Sequence, residues 1–213
     1  MEFRDVIRRR RMVRRFSDEP VAREVIERLA AIAQHAPSAG FSQGQRLVVV
    51  TDPEVRQRLG FIGGDEFYER EGFGRWIGTA PVQFVPCVSE KVYRDRYAEP
   101  DKLNEDGSVI EWPIPYWWMD IGCTVENLLL AAVDEGLAAG FAGAEDPDEI
   151  RRELGIPADY APVGIIPVGH PLPDKRSPSL RRGWLPSGEF LRWEGWLSRP
   201  TEPSARRASP PVG

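Results

Sequence analysis

Residues 120–136, DIGCTVENLLLAAVDEG, constrain the fold more than any other stretch of the chain. Ile121, Val125, Leu128, Leu129 and Ala132 recur at helical spacing and form one apolar face. Gly122, Ala131 and Ala132 allow a neighbour to pack closely, and Gly136 and Gly140 mark the end. A helix this apolar belongs either at the centre of a fold or between two subunits.

Around it the chain alternates helices and strands. Leu47–Val50 reads as a buried strand from its length and β-branching, and Val82–Val88 as a second strand. Pro162–Gly169 is a third strand and Ala139–Gly143 a short fourth. Residues 2–12 read as a helix with Phe3, Val6 and Ile7 inward. Ser17-Asp18-Glu19-Pro20 looks like the start of a second helix over 21–36, ended by Pro37-Ser38-Ala39-Gly40. Asp52-Pro53 caps a short helix to Leu59, and Asp146-Pro147 opens another that ends at Gly155-Ile156-Pro157. Residues 60–79 read as a loop or irregular helix.

Residues 89–118 are polar at first and then dense in Trp, Tyr and Pro. A connection this long predicts a lid or substrate-wall insertion. The expected organisation is one domain over 1–195 and a tail, 196–213, that is mobile or wraps a partner.

The chain's 213 residues, 41% hydrophobic and 29% charged, suit a globular protein with its own core. A net charge of −5 gives no global case for nucleic acid. No apolar stretch follows the N-terminal arginines as in a secretory signal, and no run approaches the roughly 18 apolar residues of a bilayer span. A cytoplasmic protein with no membrane partner is expected. Cys87 and Cys123 both have apolar neighbours and read as buried free thiols.

Several catalytic motifs fail on context. Gly40-Phe41-Ser42-Gln43-Gly44 matches G-x-S-x-G, but a serine nucleophile of that type follows a strand and opens a helix. Here a helix ends before Ser42 and a strand begins after it, which leaves a hydrolase with His170 as a remote alternative. The two histidines, His35 and His170, and the two distant cysteines give no metal-ligand spacing. No G-x-G-x-x-G follows a strand, and no Walker loop is present.

Seven arginines fall in the first fifteen residues: Arg4, Arg8, Arg9, Arg10, Arg11, Arg14 and Arg15. They could be an anion-binding segment, a surface for membrane or nucleic acid, or a solvated face. On a helix end, Arg10 and Arg14 would share a face and could present two guanidinium groups to one anion.

The wider context favours the anion. Arg10-Arg11-Met12-Val13-Arg14-Arg15-Phe16, followed by Pro20-Val21, resembles the opening R-R-S-x-R-x-F signature of the nitroreductase family. Ala36-Pro37-Ser38-Ala39 is similar to that family's A-P-S-S/A segment, and Ser42 to Val50 to its N-x-Q-P-W stretch. Ala80-Pro81 resembles the opening of the family's next strand. The 120–136 helix, running into Gly136-Leu137-Ala138, resembles its central dimer helix. Ile156-Pro157 and the strand ending Gly169-His170-Pro171 resemble its closing stretch. Met12 stands where the family has serine, Phe41 where it has asparagine, and Gln43-Gly44-Gln45 where it has Q-P-W.

The resemblance implies an α+β fold: a nitroreductase-like, central, mostly antiparallel sheet flanked by helices, in an intertwined homodimer with FMN between subunits. Arg10, Arg11, Met12 and Arg14 would contact the phosphate, ribityl chain or pyrimidine edge. Pro37, Ser38 and Ala39 would line the ring from the partner subunit, with Gln43 nearby. Ala142 and Gly143 match the backbone beside N5, and Arg181 and Arg182 the late basic pair at the phosphate. Phe41, Tyr116, Trp117 and Trp118 would form the substrate wall. NAD(P)H would be the electron donor and a nitroaromatic, quinone or enone the acceptor. No side chain need act as acid or base, because the cofactor carries the chemistry. Flavin cleavage, reductive dehalogenation, and storage or sensing of flavin without turnover are the other readings.

Overall fold

The computed structural model describes residues 1–196 and divides the chain into two units, Met1–Lys175 and the segment from Arg176 onward. The division falls twenty residues before the expected domain end at 195. Of the expected tail, 196–213, only Trp196 lies within the described residues.

The first unit runs α1 (Phe3–Arg9), α2 (Arg23–Gln34), a 3-10 turn at Ala39–Phe41, β1 (Gln45–Val50), α3 (Pro53–Ile62), α4 (Asp65–Arg70) and β2 (Val82–Val88). It continues with α5 (Glu90–Tyr97), a 3-10 turn at Pro100–Lys102, α6 (Tyr116–Asp134), β3 (Ala138–Ala139), β4 (Ala142–Gly143), α7 (Pro147–Leu154), β5 (Ala161–Pro162) and β6 (Gly164–Gly169). The second unit holds a 3-10 turn at Pro178–Arg182 and α8 (Ser187–Phe190). Its Leu180, Trp184, Leu185, Phe190, Leu191, Trp193 and Trp196 are exposed.

The sheet has the order β1-β2-β6-β3, with β5 beside β2 and β4 beside β6, and all its strand pairs are antiparallel. Val48 pairs with Val85, Phe84 with Ile166 and Ala139 with Val168. Antiparallel strands commonly alternate apolar and polar residues because one face meets water. Here β2 and β6 are buried along their whole length. Val82, Phe84, Ile166 and Val168 pack with Leu29 and Ala33 of α2 and Leu128, Leu129 and Ala132 of α6. Val85, Cys87 and Ile165 face the other way, toward Trp76, Ile77, Leu59 and Ile150. Cover on both faces is why neither strand alternates with polar residues; the one polar side chain, Gln83 of β2, is buried and donates to the Arg56 and Ile77 carbonyls at 3.0 and 2.7 Å.

Local chemistry sets several boundaries. Asp52 caps α3 by accepting the Glu54 and Val55 N–H groups, each at 3.0 Å. Asp146 caps α7 in the same way, and Gly155, with φ of 61°, ends it.

Other boundaries differ from the sequence reading. The first helix stops at Arg9, because Met12 bridges to Ala139 and the Val13 N–H donates to the Ala139 carbonyl at 3.0 Å. Ser17 and Asp18 do not cap α2, whose N-cap is Ala22. Phe16 pairs with Pro171 and the Ser17 N–H bonds the His170 carbonyl, so this stretch is committed to the sheet edge. The 139–143 strand divides in two at Gly140 and Phe141. Residues 89–118 hold α5, a 3-10 turn and the start of α6, joined by an irregular stretch over 103–115, and Tyr93, Tyr97, Trp112, Tyr116 and Trp117 interlock there. Cys87 is buried as expected, whereas Cys123 is exposed on α6; both are free.

Candidate functional site

Residues 10–16 run extended beside β3, so the helical spacing expected to join Arg10 and Arg14 does not exist. Val13 and Phe16 point into the core, 1% and 8% exposed. Arg10 turns toward α6, with its Nε 3.4 Å from the Glu126 carboxylate. Arg11 is exposed and, with Arg9, Val13 and Pro171, lines a cavity of about 180 Å³. Met12 is exposed and held by its backbone pairing with Ala139.

Arg14 is half-buried. Its guanidinium carbon lies 5.2 Å from the Phe73 ring centre and 5.7 Å from that of Trp76. Its backbone N–H donates to Asp174 at 2.7 Å. Its Nε is buried and has no hydrogen-bond partner. An orphaned, charged N–H is costly in a protein interior and is the kind of donor an anion satisfies. On the opposite margin of this cluster, the Lys175 ammonium lies 4.9 Å from the same Phe73 ring.

The wall behind Arg14 is rigidly built. Trp76 is 1% exposed, and its ring presses on Gly140 so closely that a Cβ there would lie 2.4 Å from it. The buried Asp65 carboxylate accepts the N–H groups of Ile77 at 2.9 Å and Gly78 at 2.8 Å, fixing the backbone next to Trp76. Burial raises the Asp65 pKa in spite of these two donors. Beyond Gly140, Ala142 is buried against Ile165, while Gly143 is exposed and faces open space. The chain therefore reaches solvent at Gly143, three residues past Gly140, which packs against the Val13 carbonyl of the segment that carries Arg14.

A second cluster forms around residues 37–43. The buried Asp120 carboxylate accepts the Ala39 N–H at 2.8 Å, Ser38 Oγ accepts the Gln43 N–H at 2.7 Å, and the Gln45 side chain donates to the Pro37 carbonyl at 3.2 Å. Gly40, Phe41 and Gln43 all have left-handed φ, at 60°, 55° and 53°. Ser38, Phe41 and Gln43 line a cavity of about 530 Å³ with Gln34, Arg46 and Thr124. Ser42 donates its hydroxyl to the Ala39 carbonyl at 2.6 Å, in the turn just before β1. It has none of the strand-before, helix-after setting of a hydrolase serine.

The sequence-predicted residues thus separate into two surfaces. Arg10, Arg11, Met12 and Arg14 lie on the segment that pairs with β3 at Ala139, and Ala142 and Gly143 form β4, two residues beyond β3. Ser38, Phe41 and Gln43 line the 530 Å³ cavity, with Pro37 and Ala39 in the same turn, and none of the arginines 10–14 lines it. Both surfaces are anchored on α6, through Glu126 and Asp120; six residues separate these anchors, about 9 Å along a helix axis. Arg181 and Arg182 lie in the second unit, exposed at the end of its 3-10 turn. Of the expected substrate wall, Phe41 is 75% and Trp118 47% exposed, and Tyr116 is half-buried. Trp117 is instead core, 7% exposed and stacked on Trp112 with ring centres 5.9 Å apart.

Sequence reading missed Phe73, Trp76, Asp174 and Lys175, none of which is near Arg14 in the chain, and it missed the hold of Asp120 on Ala39. Among the described residues no group of three or more His, Cys, Asp or Glu could hold a metal ion, and no helix is long and apolar enough to cross a membrane.

Comparison with known proteins identifies the family and the fold. An Archaeoglobus fulgidus protein, provisionally named NADH dehydrogenase/NAD(P)H nitroreductase, is 27% identical over 170 residues, covering 78% of this chain and 83% of that protein. A Staphylococcus aureus NADPH-dependent oxidoreductase is 24% identical over 180 residues, covering 84% of this chain and 68% of that protein. The crystal structure of a nitroreductase family protein from Streptococcus pneumoniae superposes with a TM-score of 0.71 at 21% identity, over 90% of this chain and 100% of that one. The profile of the Nitroreductase family matches residues 7–170, and the chain belongs to that family.

Proposed function

We propose that the protein is an FMN-dependent oxidoreductase that passes hydride from NAD(P)H to an electron-poor acceptor such as a nitroaromatic, quinone or enone. The observation that carries this reading is Arg14: a half-buried guanidinium over two aromatic rings, its Nε unpaired among the described residues, on a segment that pairs with β3. The fit to FMN is chemical. A phosphate dianion takes the unpaired Arg14 donor and the Lys175 ammonium, and Arg10 and Arg11 add positive charge along the same edge. On this reading Lys175 takes the late basic role that the sequence pointed to at Arg181 and Arg182.

When bound, FMN supplies hydride transfer in both half-reactions. The chain's own work is positional. Ala142, Gly143 and Met12 would border the flavin on one side. Pro37, Ser38, Ala39 and Gln43 of a second copy would cover the ring, and Phe41, Tyr116 and Trp118 would wall the acceptor. Bringing the two surfaces together is the physical reason for a homodimer. An absorbance spectrum tests the cofactor: the protein purified, or reconstituted with FMN, should be yellow and should oxidise NADH or NADPH with menadione. A colourless protein that cannot be reconstituted overturns the reading. A yellow one without turnover points to flavin storage.

The dimer has its own test. Trp118, Met119, Gly122, Cys123 and Glu126 are exposed on one side of α6 at helical spacing, the side a second copy would cover. Cys87 is buried by its own fold, and that burial pushes its thiol up to about 12. Ellman's reagent at pH 8 is therefore expected to find no fast-reacting thiol in the native protein and two in urea. Labelling of Cys123 at the rate of a free thiol would mean that α6 is not an interface.

A further inference from the structure

The expected lid instead grips the cavity. Arg96, on α5, donates its Nε to the Gly40 carbonyl at 3.1 Å, and that carbonyl belongs to the peptide linking Gly40 to Phe41. The same guanidinium is held in place by Asp101, at 2.7 Å to each carboxylate oxygen, and by Glu99 at 2.9 Å. These ion pairs hold the Asp101 carboxyl down at about 2. The neighbouring Tyr97 ring fills the space beside Gly40, where a Cβ would meet it at 2.6 Å. Trp112 then braces Tyr97 from behind, edge to face, with ring centres 4.3 Å apart.

What this grip holds is a strained turn. Phe41 and Gln43 adopt left-handed φ without being glycine, a strained conformation that persists only where the surroundings impose it. Phe41 is nonetheless exposed, so no core packing of its own ring accounts for the strain. Asp120 and Ser38 fix the ends of the turn through Ala39 and Gln43, and the Phe41 N–H donates to the Ser38 carbonyl at 2.8 Å, which leaves the carbonyl of the Gly40–Phe41 peptide to Arg96.

We propose that Arg96 is a positioning residue: by holding the Gly40 carbonyl it fixes the Phe41 ring as an aromatic wall for the electron-poor acceptor. The 89–118 segment is then a fixed brace for that wall. The role of Phe41 rests on the oxidoreductase reading; the hold of Arg96 on the turn does not.

The test compares Arg96→Ala, Phe41→Ala and the double variant with wild type. Steady-state kinetics use NADPH with menadione, and hydrogen exchange is followed over residues 38–45. In Arg96→Ala, exchange in this segment should speed up about tenfold, while exchange in β2 and β6 stays unchanged. The KM for menadione should rise about five- to tenfold with kcat within twofold, as expected when binding contacts alone are lost. In the Phe41→Ala background, Arg96→Ala should change KM less than twofold, because neighbours acting through one another are not additive. Multiplying KM effects would overturn the link to Phe41, and unchanged exchange would overturn the clamp. Should Arg96→Ala fail to fold, Asp101→Asn loosens the same guanidinium and should speed exchange about threefold; no change there also overturns the clamp. Slow or absent turnover in wild type with faster exchange in Arg96→Ala would sink the oxidoreductase reading and leave the clamp standing.

Discussion

Arg14→Ala is expected to weaken FMN binding roughly 10- to 100-fold, since a hydrogen bond to a charged group contributes about 1.5–3 kcal/mol. The partner at stake is the buried Nε, which nothing among the described residues satisfies. That same vacancy predicts an unusual stability pattern. Without cofactor, removing the side chain relieves an unpaired buried donor, costing about 1–3 kcal/mol. It also loses ring contacts with Phe73 and Trp76, worth about 0.5–2 kcal/mol. The two nearly cancel, so the melting temperature of the apoprotein should move little. With saturating FMN, the melting temperature of the variant should fall clearly below wild type, because ligand stabilisation follows affinity. Arg14→Lys should recover only part of the affinity. An ammonium restores charge but neither the planar fork nor the stacking between two rings. Flavin fluorescence titration measures all three proteins. An unchanged Kd in Arg14→Ala would place the phosphate elsewhere.

The parts of the fold that were legible in the sequence are those whose burial is complete. β2 runs from Val82 to Val88 as read, because helices and loops cover both its faces. α6 was legible from its apolar face and extends one turn earlier than read, since Trp117 and Ile121 join a core with Tyr93. α5 was not legible in that way. Its sequence, EKVYRDRY, buries only Tyr93, so there is no apolar stripe to find. Its signals are local and polar instead: Ser89 at the cap, and the Glu90–Arg94 and Lys91–Asp95 pairs one turn apart. The richness of the flanking segment in Pro and Trp pointed toward a loop and hid them.

The site divides the same way. Arg14 and Ser38 stand within short motifs that a sequence displays directly. The surroundings that give Arg14 its character come from Phe73, Trp76 and Lys175, which only the fold brings to it. Arg181-Arg182 drew attention because two arginines are adjacent, while the basic residue that shares the Phe73 ring with Arg14 is a single lysine. No local pattern distinguishes the two, because the difference lies in which of them the first unit contains.

Trp76→Ala is expected to lower stability by about 3–5 kcal/mol, the range for removing a large aromatic side chain from a core. Against a total of about 5–15 kcal/mol, that is a large share. The ring is 1% exposed and meets Tyr68 edge-on with centres 5.2 Å apart, and the backbone at Gly140 packs directly against it. Those neighbours belong to two separate parts of the chain, so the cavity left behind cannot be closed by moving one of them. The indole N–H, however, is buried without a partner. Trp76→Phe should therefore cost less than half as much, because it keeps most of the packing and removes an unsatisfied donor. Urea unfolding should show the midpoint falling in the order wild type, Trp76→Phe, Trp76→Ala, with little change in slope. The ring is also one of the two faces that hold the Arg14 guanidinium, so FMN affinity should fall in the same order when measured below the unfolding transition. Loss of stability with an unchanged Kd for FMN would make Trp76 a core residue only, and would leave Phe73 as the surface that orients Arg14.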